Sequence, residues 1–147
     1  MNVRRALFVA VSAAAVLALP LCTTPAAAAS TVTTTSVTTS FGTASVSAQW
    51  RLNPYKLDPL ALTVKDTDAD GHSVAVRLVT TGDAGKHYFP LHEISTGAGT
   101  SGTWRTYADP GGWISTASIQ ICLMEGPTVL GCANSRLMYP PFDDDLS

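Results

Sequence analysis

Residues 117–132 read ASIQICLMEGPTVLGC. Ala117, Ile119, Ile121 and Leu123 take alternate positions, with Ser118 and Gln120 between them. A period of two is what a strand shows when one face packs on a core and the other meets water. The same pattern reaches upstream, so a strand is expected over 113–125. Gly126, Pro127 and Thr128 turn the chain, and a returning strand is expected over 129–137. A hairpin centred near Pro127 sets Cys122 opposite Cys132. The run therefore predicts two antiparallel strands with a cysteine on each.

Working outward, the chain before this hairpin carries the same signal. Leu60, Leu62 and Val64 alternate with Ala61 and Thr63. Val74, Val76 and Leu78 alternate with Ser73, Ala75 and Arg77. "TTGDAGK" reads as a turn. "HYFPLHEI" reads as a short strand, and Pro90, which donates no hydrogen bond, places it at a sheet edge. "STGAGTSGT" reads as a Gly-rich loop, "WRTYA" as a short strand and "DPGG" as a turn. No stretch shows a helical period over ten residues. Short strands with turns every eight to twelve residues predict an all-β fold, an antiparallel β-sandwich or small barrel.

The ends differ from this middle. Arg4 and Arg5 precede an apolar run over 6–19, which is signal-peptide length and too short to span a membrane. Ala27-Ala28-Ala29 supplies a cleavage site before Ser30, so residues 1–29 are expected to be a signal peptide. Cys22 follows Leu19-Pro20-Leu21, without the small residue that lipid attachment needs just ahead of the cysteine. Arg4-Arg5-Ala6-Leu7-Phe8 also fits a loose twin-arginine pattern, so the export route stays open between that and the general one. The expected location is secreted, extracellular. Residues 30–48, "STVTTTSVTTSFGTASVSA", read either as a Ser/Thr-rich linker or as an N-terminal strand, with disorder expected before Phe41. The sandwich domain is expected over 49–139. Residues 140–147, with three consecutive aspartates, read as a disordered acidic tail.

Removal of the leader leaves two cysteines. An exported chain with one pair is expected to form one disulfide, Cys122–Cys132. Its ten-residue spacing is not that of a catalytic dithiol. A metal site there would find only Glu125 nearby. Of the nine Lys and Arg residues, two lie in the leader, leaving seven against eleven Asp and Glu. A mildly acidic chain without a basic patch is not expected to bind nucleic acid, and no apolar run after residue 29 is long enough for a membrane span.

"DTDADG", residues 66–71, resembles the first half of a calcium loop. Asp66, Asp68, Asp70 and Gly71 match its positions one, three, five and six, but position twelve is Arg77, where an EF-hand needs a bidentate Glu. A looser calcium site would use the same three aspartates with Asp83 or Glu93. The plainer reading is a hairpin turn closed by Gly71 in the left-handed conformation. It sets Val64 opposite Val74 or Val76 and keeps both apolar triplets on one face. No cofactor is expected beyond that calcium candidate.

Other chemistry is sparse. His87 and His92 are five apart and point to opposite faces of a regular strand. A hydrolase triad would draw on Ser73 or Ser95, a His and an Asp, with His92 or His72 as the histidine of a small hydrolase, but no nucleophile motif surrounds either serine. His92 and Glu93 are adjacent, so as strand neighbours they diverge. Trp104, Tyr107 and Trp113 bracket "DPGG", with Tyr88 and Phe89 one strand earlier. These three are the candidate ligand-binding residues, because flat aromatic faces stack on sugar rings. The competing role for each Trp is core packing.

"KDTDADGHSVAVRL", then "STGAGTSGTW", then "ASIQICLMEG" with a second cysteine ten residues after the first, resembles small secreted actinobacterial proteins of uncharacterised function. The resemblance covers about residues 60–133 and leaves out "WRLNPYKLD". It implies a compact secreted β domain and transfers no catalytic or binding residue. The expected role is a non-catalytic extracellular binding module for a glycan or a protein. The alternatives are an inhibitor of an extracellular enzyme, using the braced tip "MEGPTVLG", and the hydrolase above.

Overall fold

The structure, a computed structural model, describes residues 31–51 and 56–141. The expected leader and the aspartates of the tail lie outside the described residues. Nine strands follow in order: β1 Val32–Thr38, β2 Gly42–Arg51, β3 Lys56–Asp66, β4 Ser73–Gly82, β5 Gly85–Tyr88, β6 His92–Ile94, β7 Ser101–Ala108, β8 Ile114–Glu125 and β9 Thr128–Asn134. They form two sheets, β1-β2-β3-β7 and β5-β4-β8-β9, with β6 also on β4. Every pairing is antiparallel. The expected all-β sandwich is therefore the observed architecture.

The core lies between the sheets. Val46, Trp50, Leu60, Leu62 and Val64 enter it from one side, and Val74, Val76, Leu78, Ile119 and Ile121 from the other. These are the alternating positions seen in the sequence, and at about 25 cal/mol per Å² their burial is the main force for folding. The chain after β9 adds a lid to one open side. Met138 is buried, and it exchanges backbone hydrogen bonds of 2.7 and 3.0 Å with Ala117.

The β8–β9 hairpin forms as expected. Glu125 pairs with Thr128, so Gly126 and Pro127 make a two-residue turn, with Gly126 at φ +53°. Cys122 faces Cys132 directly, their Cα atoms 4.1 Å apart, and the disulfide joins them. It lies on the outer face of its sheet, where Cys122 packs with Ala75, Met124 and Leu91.

Three expectations need correction. Residues 30–48 hold β1 and most of β2, so the sandwich begins at Val32 rather than at residue 49, and the segment before Phe41 is a strand. β1 pairs with β2 along all seven of its residues, and backbone pairing orders a stretch with little apolar side-chain surface. Second, β3 and β4 do not form a hairpin. β3 pairs with β2 and β7, and β4 with β5, β6 and β8, so residues 67–72 cross from one sheet to the other. Val64 does not pair with Val74 or Val76. Both triplets face the same core from opposite sides, which satisfies the alternation equally well. Third, "HYFPLHEI" is not one strand. β5 and β6 are separate, both on the edge of β4, and Pro90 lies in the break.

Candidate functional site

The crossover loop is built as a chain of aspartate turns. The Asp68 N–H donates to Asp66 Oδ1 at 3.1 Å, and the His72 N–H donates to Asp70 Oδ1 at 2.9 Å. Gly71 adopts φ +82°, as its place in the turn predicts. His72 Nδ1 sits 3.2 Å from Asp70 Oδ2. The His72 N–H bond, chiefly, holds the Asp70 carboxyl below the usual aspartate value. Asp66 is 1% exposed and points inward, while its backbone joins Thr100 and Gly99 of the Gly-rich loop. Among the described residues, no three His, Cys, Asp or Glu side chains come together as a group that could hold a metal ion. The two candidate distant ligands are used locally: Asp83 accepts from the Ala84 N–H, and Glu93 accepts from Ser73 Oγ.

The histidines are likewise dispersed. His72 faces Asp70, His87 meets Phe89 edge-on at 4.6 Å, and His92 stacks on Trp104 at 5.1 Å. None of them bonds a serine among the described residues. Ser73 donates to Glu93 instead, and Glu93 and His92 point to opposite faces as strand neighbours do.

The three candidate aromatics do not share a platform. Trp104 faces inward, where its ring covers Gly102 and packs against the core beside Ile94. Tyr107 lies three residues further along β7, hence on the opposite face, and is 62% exposed. Trp113 is 48% exposed, in the β7–β8 connection, with its carbonyl against Gly82.

A different surface has the form of a site. It is the outer face of β1, β2, β3 and β7. Register places Thr34, Ser47, Ala61 and Arg105 in one row across the strands, and Ser36, Ser45, Thr63 and Thr103 in the next. In these two rows the central strands contribute only small side chains, while Arg105 on β7 and Arg136 beyond β1 stand at the flanks. Small floor and tall flanks make a trough. Its larger part is a depression of about 610 Å³ lined by these β1, β2 and β3 residues and by Arg136. A smaller one of about 130 Å³, lined by Val32, Gln49, Pro59 and Arg105, shares Ser47 and Ala61 with it, so the two are continuous.

The chemistry of the trough is polar and mostly unused. Thr63 and Thr103 share a hydroxyl hydrogen bond of 2.9 Å. Among the described residues, the hydroxyls of Thr34, Ser36, Ser45 and Ser47 make no hydrogen bond within the protein, and neither Arg105 nor Arg136 forms an ion pair. No acidic side chain lines either depression. Arg136 is positioned by its backbone: its carbonyl accepts from Thr35 Oγ1 at 3.3 Å, which ties the closing segment to β1. Hydroxyls that both donate and accept, in an open furrow, suit a polyhydroxylated ligand. Each such bond contributes only about 0.5–1.5 kcal/mol net, so useful affinity needs an extended ligand that makes several.

Sequence reasoning missed this surface. Its residues are small and polar, lie on four strands, and have no motif. The one available signal is the richness of 33–47 in Thr and Ser, which register turns into rows. No protein-family model matches the chain, and neither does any curated protein or any solved structure.

Proposed function

We propose that this protein is a non-catalytic extracellular glycan-binding module, and that it holds a polysaccharide strand in the trough across β1, β2, β3 and β7. The observation that carries this is the row of uncommitted hydroxyls on a continuous furrow. Two further facts are consistent with it. The Cys122–Cys132 disulfide fits an oxidising compartment, and no helix among the described residues is long and apolar enough to cross a membrane. The test is affinity electrophoresis through gels containing single polysaccharides, with Ser47→Trp as the probe. Ser47 is exposed on β2, and Trp is a strong strand former, so the fold is retained while the floor is filled. Retardation by at least one polysaccharide, lost in Ser47→Trp, is expected. A wild-type protein that no polysaccharide retards, or a variant retarded equally, would overturn the reading.

A second reading is favoured by one observation. The β8–β9 tip is braced by the disulfide and presents Val129 and Leu130, both exposed apolar side chains. A rigid apolar tip suits entry into the cleft of an extracellular enzyme, because little entropy is lost on docking. Dose-dependent inhibition in a protease panel, removed by Leu130→Asp, supports it. Silence across the panel counts against it.

A further inference from the structure

Resting on the glycan reading, we infer that the strand held in the trough is a polyanion, a polyhydroxylated polymer bearing carboxylate, sulfate or phosphate groups along its length. The argument is charge placement. The chain as a whole carries a net charge of −2, yet the outer face of this sheet is basic. Arg105 and Arg136 stand at the two flanks of the trough without an ion pair among the described residues, and Lys65 lies one row beyond Thr63. The one carboxylate close by, Asp58, is already paired with Lys56 at 3.7 Å. Asp66 ends β3 but is buried at 1% exposure, and the remaining acidic side chains of the described residues lie on the crossover loop, on other loops or on the second sheet. An acidic protein that keeps one furrow free of carboxylates repels anions elsewhere and focuses them there.

Geometry adds a direction. The strands are spaced by about 4.8 Å, so the flanks at β1 and β7 are about 14 Å apart. A polymer laid across the strands, along the row Thr34, Ser47, Ala61, meets a guanidinium at each end and hydroxyls between. Guanidinium binds carboxylate, sulfate and phosphate oxygens through paired N–H donors, and its charge is fixed at any working pH. A neutral polymer uses the floor but leaves both guanidiniums without a partner.

The test compares matched polymers on the full chain by isothermal titration: polygalacturonate against its methyl ester, dextran sulfate against dextran, and poly(glycerol phosphate) as the phosphate arm. At least one polyanion is expected to bind tenfold or more tighter than its neutral counterpart, or, for poly(glycerol phosphate), than either neutral polymer, with affinity falling as salt rises. The double variant Arg105→Gln, Arg136→Gln should remove that preference, and Lys86→Gln, on the other sheet, should keep it. Equal affinity for neutral and charged members would overturn the polyanion inference while leaving the glycan reading standing. Polyanion binding that the double variant does not weaken, or that Lys86→Gln weakens as much, would assign it to diffuse charge and also overturn it. No binding to any polymer would remove both. Which polyanion binds distinguishes carboxylate, sulfate and phosphate sources.

Discussion

At the scale of single residues, Asp70 shows how a local bond becomes a pH dependence. Its carboxylate receives the His72 N–H and faces the imidazole, so its folded value is lowered from the ordinary 3.8. A lowered value means that the charged form is favoured by folding. The contribution is then complete above the ordinary value and is lost as pH falls through the depressed one. Asp70→Asn keeps an oxygen for the His72 N–H but removes the charge. Thermal melts are therefore expected to place the wild type slightly above Asp70→Asn at pH 6. The gap should close when the pH is taken well below 3.8. A gap that stays constant over that range would show that the carboxylate charge contributes nothing. Asp66, one turn earlier, is buried instead, at 1% exposure. That divergence is why three acidic residues at calcium-loop spacing do not assemble as ligands: the spacing belongs to a loop between helices, whereas here Asp66 ends a strand and obeys the strand's alternation.

At the scale of elements, β9 and β1 teach opposite lessons about what a sequence displays. β9 was legible from the turn at Gly126-Pro127 and from the cysteine spacing, although six of its seven residues are exposed. With so little of its side-chain surface buried, β9 depends on its ladder to β8 and on the disulfide. A loop of this length closed by a disulfide stabilises by about 2–3 kcal/mol. Replacing both Cys122 and Cys132 with Ala should lower denaturant stability by about that much. Hydrogen exchange should quicken first in β9, while the amides β8 shares with β4 stay protected. Uniform loss of protection in β4, β8 and β9 would show that the hairpin opens only with the whole domain. The sequence of β1 supports two alternatives equally, because Thr and Ser occupy both of its faces. What orders it is its pairing with β2, the Trp50 Nε1–H bond to Thr33 Oγ1 at 3.1 Å, and Val37 against the core. The partners in all three, β2, Trp50 and the core, lie outside the segment itself. The missing hairpin between β3 and β4 has the same cause: alternation reports which face is buried, and it does not report which strand lies alongside.

At the scale of the whole molecule, the strand that the sequence displayed least is the one that joins fold to site. β1 covers the edge of β2, carries Thr34 and Ser36 into the trough, and receives the closing segment through Thr35 and Arg136. The trough could not be read beforehand, since it exists only once register aligns four strands. Removing residues 1–40 tests this joint role. The shortened chain loses the β1–β2 ladder and exposes the edge of β2, where Ala44, Val46 and Trp50 face the core. An uncovered edge of that length invites pairing with a second copy. Domains of this size retain only about 5–15 kcal/mol in total, so losing one strand of a four-stranded sheet takes a large share. The truncated chain is expected to melt at least several degrees lower and to associate as concentration rises. Its tryptophan emission should shift to the red as Trp50, 7% exposed in the full sandwich, meets water. It should also lose polysaccharide retardation. If it melts like the full chain but no longer binds, β1 serves the trough alone. If it binds and melts unchanged, β1 is dispensable and the ligand lies elsewhere on the molecule.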